Sequence, residues 1–221
     1  ILDLAPGAVA DLAGERLPAR VARAYRRYRH GPAAFKLDLA VEGGVPWLQE
    51  AARRAGTVHV AGSLEEMVIA ERDTNRGRMP ERPFVLVCQQ YLADPSRSRG
   101  DTHPVWAYAH VPAGYDGDAT EALLDQIERF APGLRERIVG RSVRSPAELE
   151  AQNANYVGGD IATGANTPWR MLIRPRLALD PYATGIPGVF ICSAATPPGG
   201  GAHGMCGYNA AGSVLRSLSK G

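Results

Sequence analysis

Gly199, Gly200, Gly201 and Gly204, with His203 among them, are the residues of this 221-residue chain best suited to holding a charged ligand. Glycine lacks a Cβ, so the main chain can approach a phosphate and turn through conformations that other residues avoid. An apolar run, Val189-Phe190-Ile191-Cys192, precedes the glycines and reads as a strand buried on both faces. After them Tyr208, Ala211, Leu215 and Leu218 recur at helical spacing, with Asn209, Arg216 and Lys220 off that face. Strand, glycine loop and helix together suit an anion, because unpaired amides and the positive end of the helix dipole point into the loop. Gly199, Gly201 and Gly204 satisfy G-x-G-x-x-G when taken literally, although a dinucleotide fingerprint also needs a second parallel strand carrying an acidic residue. No Lys-Ser/Thr follows the glycines, which excludes a P-loop. Glycine count alone describes a flexible proline-glycine loop equally well; the strand and the helix on either side favour the site.

Other residues with chemical potential are scattered. Trp106, Tyr108 and His110 share one face of a strand at period two, which would line a substrate cavity, although aromatic strand faces are more often core and core is the favoured reading. His59, between Val58 and Val60, reads as structural. Asn153, Asn155, Tyr156 and Asp160 form a polar cluster in an irregular stretch, where turn-making is the simpler explanation. Cys88, Cys192 and Cys206 show no metal spacing, and Cys88 and Cys192 sit in apolar runs as core fillers, which fits a reducing, cytoplasmic setting. No Ser-His-Asp order, carboxylate pair or His-Glu-x-x-His motif stands out, so no catalytic residue and no metal ligand is assigned.

Elements to position these residues are legible along the chain. Ile1 to Pro6 reads as a strand in progress whose partner is the strand at 189–192. Leu17, Val21, Tyr25 and Tyr28 mark a helix with Arg20, Arg23 and Arg27 outside. Strands are predicted at 34–41, 57–61, 84–89 and 105–111, the last two joined by a polar loop from Pro95 to Pro104. A helix is expected over 45–55. Capping signals at Ser63-Leu64-Glu65-Glu66, Asp118-Ala119-Thr120-Glu121 and Ser145-Pro146-Ala147-Glu148 start three more, the first ending at Gly77.

Val189 to Ala195, followed by Pro198-Gly199-Gly200-Gly201, His203-Gly204-Met205 and Gly207-Tyr208-Asn209-Ala210-Ala211, closely resembles the C-terminal FAD motif of phytoene-dehydrogenase-like flavoproteins. These are grouped with carotenoid desaturases and, more distantly, amine oxidases. Supporting similarity runs through Leu17-Pro18, Ala24 to Tyr28, Glu81 to Val87, Trp106-Ala107-Tyr108 and Tyr156 to Ile161. Ser193 departs from the pattern, standing where many relatives carry glycine. The resemblance implies FAD as cofactor, contacted by Ser193, Ala194, Gly200, Gly201, His203, Gly204 and Met205. His203 would hydrogen-bond the cofactor or stabilise charge on the reduced ring; its alternative role is to cap a local turn. Trp106, Tyr108, His110 and Tyr156 would face the substrate. The flavin would carry the hydride transfer, with the protein supplying binding and orientation.

The expected fold is α/β in the mixed α+β sense: a mixed-sheet substrate domain over 17–184, flanked by 1–16 and 185–221 as parts of an incomplete FAD-binding domain. Such enzymes open with a strand–glycine loop–helix for the ADP half of FAD, which this sequence does not contain. The chain thus reads as the C-terminal portion of a longer flavoprotein, inactive alone. Expected partners are a small-molecule substrate and that N-terminal dinucleotide-binding segment, and self-association is compatible with the sequence. Lys+Arg 25 against Asp+Glu 23 leaves a formal charge of +2, which provides no field for nucleic acid. No run is long and apolar enough for a membrane span. Two rival readings are a non-catalytic lipid-binding or protein-interaction module derived from a truncated flavoprotein, and a nucleotide-binding fold that uses the C-terminal loop alone.

Overall fold

Leu2 and Ile191 form a parallel bridge: the Leu2 amide donates to the Phe190 carbonyl and the Cys192 amide donates to the Leu2 carbonyl, both at 2.8 Å. This comes from a computed structural model that describes residues 1–165 and 167–219. The predicted pairing of the chain's opening with 189–192 is therefore present, shortened to a bridge. Pro6 ends the extended run by starting helix α1 (Pro6–Ala13), where its fixed φ and missing N–H suit the first helical position. Asn155 Oδ1 accepts from the Ala5 amide at 2.7 Å just before that turn. Helix α2 (Ala19–Arg26) buries Val21 and Tyr25, which join Leu17, Val9, Ala10 and Ile191 in one cluster, while Arg20 and Arg23 stay outside.

The chain then forms β1 (Ala33–Glu42), α3 (Glu50–Arg53), β2 (Thr57–Val60), α4 (Leu64–Asn75), β3 (Val85–Cys88), β4 (Thr102–Val111), α5 (Thr120–Glu128), α6 (Leu134–Arg137), β5 (Ile138–Arg144) and α7 (Pro146–Gln152). The class is mixed helix and sheet, as expected, and the five strands lie in the order β2-β3-β4-β1-β5. Every pairing among them is antiparallel. An antiparallel sheet can bury one face and leave the other half-exposed, and the alternation in β1 and β4 does this. Phe35, Leu37, Leu39 and Val41 meet Val105, Ala107, Ala109 and Val111 in a core closed by Leu123, Leu124 and Ile127 of α5. Each large side chain so buried contributes roughly 1.5–3 kcal/mol.

All four predicted strands are present in this unit. The fifth, β5, was not anticipated: Gly140, Arg141 and Ser142 interrupt its apolar alternation, and its place at the edge of the sheet leaves it half-exposed. The helix expected over 45–55 shrinks to α3, because Val45 and Trp47 are buried from an extended stretch through Pro46, which disfavours helix before it. Trp47 donates its indole N–H to Gln89 Oε1 at 3.0 Å, and the Gln89 amide nitrogen donates to the carbonyls of Ala52 and Ala55. The capping box at α4 is formed, with Ser63 Oγ accepting from Glu66 N–H and the Ser63 amide donating to Glu66 Oε2. At the start of α7, Ser145 and Glu148 make the same reciprocal pair.

Helices α8 (Pro168–Leu172) and α9 (Met205–Leu218) complete the described elements. The chain divides into two compact units, residues 1–31 with 152–221 and residues 32–151. Helix α9 corrects one sequence expectation. Its inward face is Ala210 and Ser213 with Val214 and Cys206 partly covered, whereas Tyr208 (74%), Leu215 (66%) and Leu218 (72%) are exposed. Small residues carry the close contact, and the larger apolar stripe points out. Lys220, placed off that stripe by the sequence, lies outside the described residues.

Candidate functional site

The turn after Ile191 spends most of its carbonyls on its own unit. Arg174, nearly fully buried, donates from Nη1 to the Ala194 carbonyl at 3.0 Å. Tyr182 donates its hydroxyl to the Pro197 carbonyl at 2.8 Å. Cys206 Sγ reaches the carbonyls of Thr196 and Gly199. Ser193 is consumed locally, its Oγ accepting from the Ala195 amide and its carbonyl from Thr196. The sequence did not single out Arg174 or Tyr182. Each lies well before the motif in the chain, and nothing in their local spacing ties them to it.

The carbonyls just ahead of the loop are thus engaged, and the amides that follow are left over. Among the described residues, the N–H groups of Gly200, Gly201, Ala202, His203 and Gly204 have no hydrogen-bond acceptor, and all five residues are exposed. Gly201 (φ 150°) and Gly204 (φ 65°) hold conformations that side chains resist, and a Cβ on Gly201 would stand 2.8 Å from His203 Cδ2. Gly204 is also the residue capping the start of α9, so the loop ends on the positive end of a 14-residue helix. Met205 differs from its neighbours, since its amide donates to His203 Nδ1 at 3.0 Å. His203 therefore does cap a turn, and with Nδ1 accepting, its proton sits on Nε2, facing away from that bond.

A second loop supports the first. Asp160, buried in unit one, accepts from the amides of Gly31 (2.7 Å), Gly164 (2.6 Å) and Ala162 (2.9 Å). Burial pushes the Asp160 carboxyl upward, but His30 and the three amides outweigh it and hold it below the usual carboxylate range. His30 Nδ1 stands 3.5 Å away without a hydrogen bond, so it acts by proximity. Thr163, at φ 52°, is fixed by its carbonyl accepting from the Tyr28 hydroxyl at 2.8 Å. This loop abuts the glycines: a Cβ on Gly200 would stand 3.3 Å from the Ala162 carbonyl oxygen. Asn153 and Asp160 thus work as turn-makers, as their residue types suggested, whereas Asn155 spends its side-chain oxygen on the distant amide of Ala5. Tyr156 lies half-exposed in the same unit.

Trp106, Tyr108 and His110 are in the other unit and correct the core reading. They project from β4 on the side of the sheet opposite the hydrophobic cluster and remain half-exposed. Their neighbours across β1 are Asp38, Lys36 and Ala34. Trp106 and Tyr108 stack with ring centroids 6.1 Å apart, and the Lys36 ammonium lies 5.8 Å from the Trp106 ring. His59, read as structural, is exposed beside Phe84 at 5.4 Å. The cysteines are free and half-buried; burial pushes the Cys192 thiol up, away from a nucleophile's range. Among the described residues there is no group of three His, Cys, Asp or Glu able to hold a metal, and no helix long and apolar enough to cross a membrane.

No family model matches the chain. It is similar to the proteins named "pyridine nucleotide-disulfide oxidoreductase domain-containing protein 2" of Rattus norvegicus, at 28% identity, and Mus musculus, at 27%. Each match runs over 161 residues, covering 67% of this chain and 28% of the relative. The chain thus matches little more than a quarter of the length of these curated relatives.

Proposed function

We propose that this chain is the substrate-bearing and cofactor-closing portion of an FAD-dependent oxidoreductase of the phytoene-dehydrogenase-like type. The observation that carries the reading is the row of exposed, acceptorless amides from Gly200 to Gly204, following a turn whose Ala194 and Pro197 carbonyls are anchored by Arg174 and Tyr182. Preorganised main-chain donors at a helix N-terminus fit a pyrophosphate, a ribityl chain or the polar edge of a flavin. Similarity to proteins named as oxidoreductase-domain proteins agrees with that chemistry.

FAD would supply the hydride transfer between the cofactor and a hydrophobic or small organic substrate. The chain's own residues would bind and orient. Gly200, Gly201, Gly204 and the His203 amide would donate to the cofactor, with His203 Nε2–H as a further donor. Ser193 and Ala194 would shape the approach from the bridge at Ile191. Trp106, Tyr108 and His110 would form a wall for the substrate.

Helix α9 supports the same reading from another side. Its outward stripe of Tyr208, Ala211, Leu215 and Leu218 is apolar and exposed, as is Leu179 on the segment before it. An N-terminal dinucleotide-binding segment would cover this stripe and supply the other half of the phosphate site. The test is absorbance on the undigested product of the complete gene. A yellow protein that releases FAD on denaturation is expected, alongside a colourless isolated 221-residue chain. A well-folded, colourless product that gains no flavin on reconstitution would overturn the reading.

A further inference from the structure

We propose that His110 and Glu71 form an acid–base pair on an aromatic shelf in the second unit, and that the shelf takes a planar, unsaturated organic molecule bearing a phenol- or enol-type O–H. Five rings make the shelf. Centroid distances run 5.4 Å from His59 to Phe84, 6.3 Å from Phe84 to His110, 5.9 Å from His110 to Tyr108 and 6.1 Å from Tyr108 to Trp106. All lie within the range over which rings interact. None of the five belongs to the sheet's hydrophobic cluster, and each is half-exposed or exposed. This much aromatic area does not serve the core, and a flat conjugated ligand lying on it would withdraw it from water.

One end of the shelf is chemically armed. Glu71, on α4, places Oε1 2.9 Å from His110 Nδ1, from a position 39 residues earlier in the chain. His110 Nε2 has no partner among the described residues and is not among the sealed polar atoms, so it is open to a ligand. A carboxylate at Nδ1 holds the proton there, leaves the Nε2 lone pair free, and stabilises the imidazolium once Nε2 is protonated. Among the described residues, Tyr108 neighbours His110 on its own strand, Cys88 on β3 and Lys36 on β1 lie beyond Tyr108, and His59 lies beyond Phe84. Lys36 is committed to Asp38 at 2.5 Å. Among the described residues, Glu71 alone is hydrogen-bonded to the imidazole.

The step is a proton transfer. The ligand O–H bond breaks, an N–H bond forms at Nε2, and the electron pair stays on the ligand oxygen, with nothing oxidised or reduced. This inference rests on the flavoprotein reading only for the expectation that such a ligand is subsequently turned over. Binding and proton transfer need no flavin, so the two readings fail separately.

The probe is para-nitrophenol, whose ionised form absorbs at longer wavelength than its neutral form, added to the 221-residue chain. Expected are quenching of tryptophan fluorescence that is absent in Trp106→Phe, and ionisation of the bound probe about one pH unit below that of the free probe. In His110→Phe, which keeps a ring in the shelf, quenching should persist and the shift should vanish. Glu71→Gln should reduce the shift while leaving quenching in place. Nitrogen NMR of the wild-type histidines is the check that needs no variant: His110 should carry its proton on Nδ1, with Nε2 gaining a proton when the probe binds. An unshifted bound probe, a shift that survives in His110→Phe, no quenching traceable to Trp106, or a proton on Nε2 in the free protein would each overturn the proposal. An ion pair serving stability alone would move the melting temperature of Glu71→Gln and leave the ionisation of the probe untouched.

Discussion

Arg174 reaches 20 residues along the chain to donate to the carbonyl of Ala194, and this bond anchors the main chain just ahead of the glycine loop. Gly199 is glycine for the same reason, since a Cβ there would stand 2.8 Å from Arg174 Nη1. Arg174→Met keeps much of the stem and loses the donor. The Ala194 carbonyl would then lack that donor, and the expected destabilisation is roughly 1–3 kcal/mol by chemical denaturation. Lost amide ordering at 199–204 should be visible as faster hydrogen exchange there. Unchanged exchange would show that the loop is held by other means.

Asp160 should be more costly to lose. One of its oxygens accepts from two amides and the other from a third, so the amide of Asp160→Asn cannot satisfy all three. The expected cost is roughly 3 kcal/mol, read as a lowered denaturation midpoint. Because its carboxyl is held below the ordinary value, its contribution is full above the unfolded-state value of about 3.9 and is lost as pH falls through the lower folded value. Wild type should therefore lose stability more steeply than Asp160→Asn at acid pH. Parallel pH profiles would count against the assignment.

Gln89 ties the second unit together from a fully buried position. Replacing it with leucine strands the Trp47 indole N–H and weakens the hold on two carbonyls. A loss of roughly 2–4 kcal/mol is expected by denaturant titration, since buried polar groups left unpaired keep their full desolvation cost. A loss below about 0.5 kcal/mol would mean that water replaces the glutamine.

The outward stripe of α9 gives a prediction of opposite character. Leu215→Glu sits on an exposed position, so the stability of the 221-residue chain should change by less than about 0.5 kcal/mol. In the product of the complete gene the same change should reduce flavin retention, because it places a charge where the N-terminal segment is proposed to dock. Equal flavin content in both proteins would remove the stripe from the interface.

Much of this was legible in the sequence, for local reasons. Capping boxes at Ser63 and Ser145 and the alternation of β1 and β4 depend on residues only two to four apart, and they appear in place. The pairing of Leu2 with Ile191 was also readable, because both flank a long excursion and both are apolar. What escaped depends on distant partners. Edge strand β5 needs only one side, so its polar residues mask it. The α9 stripe has a helical period whichever side it faces, and only the small residues Ala210 and Ser213 reveal the true contact. Arg174, Tyr182 and Glu71 act through residues 20, 15 and 39 positions away, and no spacing rule reaches them.

The central claim is that the amides of Gly200 to Gly204 receive a flavin nucleotide, and amide-resolved NMR of the 221-residue chain during titration with FAD tests it most directly. Weak binding is expected, with the shifts of Gly200, Gly201, Ala202, His203 and Gly204 moving together and those of the β4 shelf moving less. Saturating FAD that leaves these five resonances in place, or that moves only residues elsewhere, would contradict it.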